Sequence, residues 1–196
     1  MSPILIIAYF TKDTQYQILS EELRASCNKF NLNIYLESIP NLNSWELATH
    51  YKARFIKDCL NRFTDTNLVY IDVDAKFMEY PVLFDSINCD IGYRTENFKW
   101  RANEALSGTI YLKNTPKVLS FMNTWISLNE LVKAERMKPE TWEQKNMQRA
   151  LSKHSDIVYI NLPPEYTYIQ DHTKRMYPGI KPIIMHYQES RNQFKK

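Results

Sequence analysis

The sequence predicts an α/β sandwich. Short apolar runs alternate with amphipathic stretches of helical period over most of the chain, and the apolar runs end in polar turns. With 196 residues the chain can bury one core without disulfides, so a single domain over residues 1–196 is expected. An apolar content of 44% with 13 Tyr, 9 Phe and 4 Trp excludes a disordered or low-complexity chain. In such a sandwich ligands bind beyond the carboxyl ends of the strands, which makes residues at those ends the candidates for function.

Residues 4–9 form a continuous apolar run suited to a strand buried on both faces, and it ends in Thr11-Lys12-Asp13-Thr14. Thr14 and Gln17 have capping-box spacing, and Leu19, Leu23, Cys27 and Phe30 mark one face of the helix that follows. Residues 34–39 supply a second strand and complete a β-α-β unit. Asn43 and Glu46 repeat the capping-box spacing before a helix with Trp45, Ala48, Phe55, Ile56, Cys59, Leu60 and Phe63 at helical period. Lys52 interrupts that apolar stripe, and either snorkels to solvent or meets an anion. Residues 67–71 form the next strand and run directly into Asp72-Val73-Asp74.

Pro81 opens a short helix over 82–86, residues 90–94 read as a strand, and the polar stretch 97–104 reads as a loop. Gly108 begins a strand to Leu112, and Thr115-Pro116 caps a long helix. Residues 133–138 are a basic connector, 139–151 a further helix, and 157–160 a short strand stopped by Leu162-Pro163-Pro164. A last apolar strand over 183–185 leads to His186.

Only three glycines occur, and Gly92, Gly108 and Gly179 lie too far apart for a phosphate-cradling loop, which disfavours dinucleotide-binding enzymes, P-loop NTPases and kinases. A net charge of +3 is too mild for a dedicated nucleic-acid binder. Cys27, Cys59 and Cys89 are odd in number and set in apolar contexts, which indicates neither a disulfide framework nor a zinc knuckle and fits a reducing compartment. The first residues lack a basic segment, and their apolar run is too short to span a bilayer. A soluble, cytoplasmic protein without a membrane span is therefore expected.

Asp72-Val73-Asp74 is the most informative motif. Residues two apart on an extended segment point the same way, and two ionised carboxylates at one spot repel unless a cation joins them. Oxygen ligands favour Mg²⁺ or Mn²⁺, and an imidazole added to the set tilts the choice towards Mn²⁺. His186, at the end of the last apolar strand, is the candidate third ligand. Ser190, Arg191, Lys195 and Lys196 follow it as candidate phosphate-binding groups.

These residues resemble a compact nucleotide-diphospho-sugar glycosyltransferase of the GT-A fold. Tyr70-Ile71-Asp72-Val73-Asp74-Ala75 matches that family's metal motif, and Tyr9-Phe10-Thr11 resembles its first nucleotide-binding edge. The helix carrying Lys52 resembles the one that places a basic residue near the nucleotide. Leu106-Ser107-Gly108-Thr109 resembles the small-residue turn beside the donor sugar, Trp142-Glu143-Gln144 the pair of an acidic residue and Gln at a helix start next to the reaction centre, and Met185-His186 the late histidine of the metal site.

The resemblance implies a three-layer α/β/α sandwich around a mixed, mostly parallel sheet. It also implies Mn²⁺ or Mg²⁺ held by Asp72, Asp74 and His186, with Asp72 serving the metal, the ribose or both. Tyr9, Thr11, Lys52, Ser107, Gly108 and Arg191 are then the donor-binding residues, with Lys12 a further phosphate candidate. Glu143 and Asp74 become the catalytic pair, Glu143 acting as base if the reaction inverts the anomeric centre and orienting sugar hydroxyls if it retains it.

The expected activity is transfer of a hexose from a nucleotide-diphosphate sugar, UDP-linked as the family most often has it. Glycan, protein, lipid-linked sugar and nucleic acid all stay open as acceptors, as does the oligomeric state. Two other classes stay open beside it. One is a metal-dependent nucleotidyltransferase or phosphohydrolase, because two carboxylates and a divalent ion serve phosphoryl chemistry equally well. The other is a non-catalytic glycan- or nucleic-acid-binding module that stacks on Tyr and Trp.

Overall fold

The computed structural model describes residues 4–42, 44–98, 101–131 and 142–188. In chain order the elements are β1 (Ile4–Thr11), α1 (Gln15–Lys29), β2 (Ile34–Ile39), α2 (Trp45–Arg62), β3 (Asn67–Ile71), β4 (Ala75–Phe77), α3 (Leu83–Ser86), β5 (Ile91–Phe98) and β6 (Arg101–Leu112). There follow α4 (Pro116–Glu130), α5 (Glu143–Leu151), β7 (Tyr159–Asn161), a 3₁₀ turn (Pro164–Thr167), β8 (Tyr168–Ile169), α6 (Gln170–Met176) and β9 (Ile184–His186).

The main sheet has the order β2-β1-β3-β6-β5-β7. β1 pairs in parallel with β2 and β3, and β5 with β7, whereas β6 is antiparallel to both its neighbours. The sheet is thus mixed and mostly parallel, as expected. Its two faces are both buried, which is why β1 reads as an unbroken apolar run: Ile6 and Ile7 are adjacent, point to opposite faces and are each fully buried. Ile7 joins the core that α2, α4 and α5 close with Phe55, Trp125 and Met147. Ile6 joins a second core with Leu23 and Cys27 of α1. Helices on both faces make the three-layer sandwich. A small second sheet, β4-β9-β8, lies beside it; β9 answers to the strand expected over 183–185, while β4, β8 and their pairing have no counterpart in the sequence reading.

Helix starts follow the capping residues, with two adjustments. Thr14 caps α1 through the Tyr16 N–H, but Gln17 reaches the Asp13 N–H rather than that of Thr14. The cap of α2 is Ser44, whose Oγ accepts from the Leu47 N–H, so the helix starts one residue later than an Asn43 cap would give; Asn43 itself lies outside the described residues. Helix α5 likewise begins at Glu143, and the connector over 133–138 lies outside the described residues.

The expected loop over 97–104 is instead strand at its described residues, 97–98 and 101–104. β5 and β6 pair from Ile91↔Leu112 out to Phe98↔Arg101, with Glu96 opposite Glu104. Its polar character misleads because its buried carboxylate, Glu104, accepts from the Gln144 side-chain amide. β3 pairs with β6 only as far as Ile71↔Thr109. Residues 101–108 therefore run on beyond the carboxyl end of β3, for roughly 25 Å at the usual rise per residue, and the hairpin stands as a wall beside that end of the sheet.

Candidate functional site

β3 delivers Asp72 to the carboxyl edge of the sheet, where the ladder continues for one bond, Asp72 N–H to Gly108 carbonyl at 2.8 Å. The chain then turns through Val73 and Asp74 into β4. β9 lies antiparallel to β4 with His186 opposite Ala75, and the Tyr187 N–H donates to the Asp74 carbonyl. This ladder fixes the histidine against the Asp-x-Asp turn. Asp72, Asp74 and His186 each offer a ligand atom, and these atoms lie within 4.8 Å of one another.

The chemistry of that set fits a divalent cation. Burial lowers the His186 pKa to about 4, against the opposing pull of the Asp72 carboxylate, so the imidazole is neutral at physiological pH. Nε2 lies 2.8 Å from Thr109 Oγ1. With the proton on Nε2 donated to that oxygen, Nδ1 presents its lone pair beside Asp72.

Lys52 neither snorkels nor stands free for a phosphate. It is 3% exposed, and its ammonium contacts Glu143 Oε1 at 2.9 Å, Ser107 Oγ at 3.0 Å, the Ser107 carbonyl at 3.1 Å and Asp72 Oδ1 at 3.1 Å. Burial alone would lower its pKa, but Asp72 and Glu143 outweigh burial and raise it, which keeps the lysine charged. Tyr70 completes the cluster by donating to Asp72 Oδ1 at 2.7 Å. The Glu143 carboxylate is held in place by the Ser107 hydroxyl at 2.5 Å, and its backbone carbonyl accepts from Trp125 Nε1. Glu143 Oε2 is buried without a hydrogen-bond partner.

These groups border one cavity of about 640 Å³. Tyr9 and Thr11 line it from the end of β1, but the Tyr9 hydroxyl is spent on the Ala48 carbonyl at 2.6 Å, tying β1 to α2. Ser107 lines it with its hydroxyl committed to Glu143. Lys12 is exposed and is not among the lining residues. Arg191 lies outside the described residues.

Gly108 has a more specific part than that of bordering a sugar. A Cβ there would lie 3.0 Å from His186 Cε1 and 3.1 Å from Asp72 Oδ2, so its bare α-carbon makes room for the His186 and Asp72 side chains themselves. Phe98, Glu104, Thr167 and Ile169 line the far side of the cavity and were not singled out by sequence. The first two lie in the stretch that reads as a loop, and the last two in a 3₁₀ turn and a two-residue strand too short to leave a periodic signal.

A family model for nucleotide-diphospho-sugar transferases matches residues 4–196. The chain belongs to that family. A similar solved structure is a glycosyltransferase involved in the glycosylation of the major capsid of PBCV-1, 18% identical to this transferase, with a TM-score of 0.71 and 98% of each chain covered. The apo form of the glycosyltransferase GlyE of Streptococcus pneumoniae TIGR4 is 13% identical with a TM-score of 0.66, and the transferase covers 55% of its length. At these identities the likeness speaks for the GT-A fold. No curated protein matches the sequence. No helix among the described residues is long and apolar enough to cross a membrane.

Proposed function

We propose that this family member is a metal-dependent glycosyltransferase that moves a hexose from a UDP-sugar to an acceptor hydroxyl. The observation that carries the reading is the charge of the cavity. Among the described residues, Glu46, Asp72, Asp74, Glu104 and Glu143 line it against one lysine, Lys52, which two of those carboxylates already neutralise. A nucleotide diphosphate entering such a site adds more negative charge, and its binding becomes favourable only with a cation between the two. Asp72, Asp74 and His186 are the residues to hold it, and two carboxylates with an imidazole suit Mn²⁺, with Mg²⁺ the alternative. Bound there, the ion would stabilise the negative charge that develops on the departing nucleoside diphosphate.

The protein's own groups do the rest. Tyr70 and Lys52 fix the orientation of Asp72, Tyr9 and Thr11 border the nucleotide side, and Arg191, outside the described residues, is proposed as a phosphate contact. Glu143 Oε1 is already engaged by an ammonium and a hydroxyl, which leaves Oε2 to accept from a sugar hydroxyl, so Glu143 orients the donor sugar. In the transfer the bond from the anomeric carbon to the diphosphate oxygen breaks with its electron pair on that oxygen. The acceptor oxygen bonds to the same carbon, and its proton passes to solvent.

Calorimetry with a panel of nucleotide sugars, with and without Mn²⁺, tests the reading: Mn²⁺-dependent heat is expected for a UDP-sugar, and no heat for any nucleotide sugar overturns it. Turnover of nucleoside triphosphates with release of pyrophosphate would instead place the site in phosphoryl transfer. Glu143→Gln is expected to bind donor and transfer poorly, and full transfer by that variant would remove Glu143 from the reaction.

A further inference from the structure

We infer that the far side of the cavity, bounded by Phe98, Glu104, Gln144, Thr167 and Ile169, is the acceptor subsite and that it takes a neutral sugar. This rests on the glycosyltransferase reading and extends it to the acceptor.

Position is the first argument. Across the sheet the cavity passes from β1, with Tyr9 and Thr11, over the end of β3 with the Asp-x-Asp turn, to β6 and then β5. Phe98 and Glu104 belong to the part of the β5–β6 hairpin that projects past the end of β3. Ile169 of β8 pairs in register with His186, and Thr167 stands two residues before it. This wall therefore adjoins the ion-binding end of the donor site and lies opposite the nucleotide edge, where a second substrate must enter.

The second argument is an unmet hydrogen bond. Thr167 is 2% exposed, lines the cavity, and its Oγ1 has no partner. A valine would fill that position without burying an unpaired hydroxyl, so keeping threonine works against the stability of the free protein and becomes favourable once a ligand supplies the missing bond. Glu143 Oε2, another buried atom on the cavity that makes no hydrogen bond, faces the donor sugar in the reading above.

The third argument is chemical character. The wall combines an aromatic ring, Phe98, backed by the His172 ring at 4.5 Å, with the carboxylate of Glu104, the amide of Gln144 and the Thr167 hydroxyl. Aromatic faces with planar polar side chains suit a polyhydroxylated ring, whose apolar face stacks while its hydroxyls pair. No cation among the described residues lines this side, and Glu104 puts a negative charge on it, so a nucleic acid or a lipid diphosphate meets repulsion.

Saturation-transfer NMR with methyl glycosides of glucose, galactose and mannose as probes, beside a hexose 6-phosphate and oligo(dT), tests the inference on the whole protein. At least one neutral glycoside should bind, and Thr167→Val should reduce its signal at least threefold while keeping or raising the melting temperature. Phe98→Leu provides a second variant. With a glycoside that serves as acceptor, both variants should raise the acceptor KM about tenfold more than the donor KM. Absence of binding by every glycoside, binding that both variants leave unchanged, or preference for the phosphate or the oligonucleotide overturns the inference. Calorimetry with nucleotide sugars on the same samples separates its failure from that of the donor reading: donor heat without glycoside binding sinks the acceptor assignment alone.

Discussion

Replacing Lys52 by methionine keeps the aliphatic stem but leaves Glu143 and Asp72 without their shared counter-ion. Removing one partner of a buried ion pair costs about 3–5 kcal/mol. The lower end applies here, about 3 kcal/mol, because the Asp72 side chain is 37% exposed and water screens part of its charge. In a domain of this size such a loss lowers Tm by about 6–12 °C. Thermal unfolding followed by tryptophan fluorescence, to which the fully buried Trp125 contributes, reads it directly. Lys52→Met with Glu143→Gln should recover most of the loss, since the second change removes the more buried of the stranded charges. A single variant that melts within about 3 °C of wild type, or a double variant that loses the sum of the two singles, refutes the view of Lys52 as an internal counter-ion.

The remaining expectations concern the ion, the glycine and acid stability. Mn²⁺ at about 100 times its Kd should stabilise the fold by about 2.7 kcal/mol, a Tm rise of roughly 5–10 °C that a chelator reverses and Asp74→Asn abolishes; an unchanged Tm would count against the ion. Gly108→Ala pushes a methyl group to within 3.1 Å of both His186 and Asp72, so Mn²⁺ affinity by calorimetry should fall at least tenfold while Tm drops only modestly. Burial raises the Asp90 pKa, but hydrogen bonds from Lys117 and the Val158 N–H outweigh burial and lower it overall. Its stabilising contribution is therefore complete above the ordinary carboxylate range and disappears as pH falls through the depressed value. The urea midpoint should decline on acidification below about pH 5, and Asp90→Asn should flatten that decline; an equal slope in the variant would show that Asp90 does not contribute.

Local signals read well where one element decides the outcome. The apolar run of β1, the Thr14 cap of α1 and the Thr115-Pro116 start of α4 depend on residues within a turn of one another, and the structure has all three. The Asp-x-Asp pair was legible for the same reason, since β3 and its two carboxylates are contiguous. Lys52 was not, because Asp72 and Glu143, which decide whether the lysine faces water, are distant in the chain and meet only in the folded cavity. The β5–β6 hairpin was hidden by its own composition: Arg94, Glu96 and Glu104 are buried yet polar, and only tertiary partners such as Tyr177 and Gln144 make their burial tolerable. Of the small sheet only β9 left an apolar run to read; β4, with three residues, and β8, with two, are too short for a periodic signal.

That small sheet gives the histidine an unusual dependence on pairing frame. Two prospective ion ligands come from the turn after β3, while the third is the last residue of β9, the middle strand of the second sheet. Side chains alternate faces along a strand, so a slip of β9 by a single residue against β4 would turn the imidazole away and bring Met185 or Tyr187 into its place. Any ion held there would then act as a lock on the frame, joining the two sheets and making protection of the β9 amides from hydrogen exchange a direct reporter of its presence.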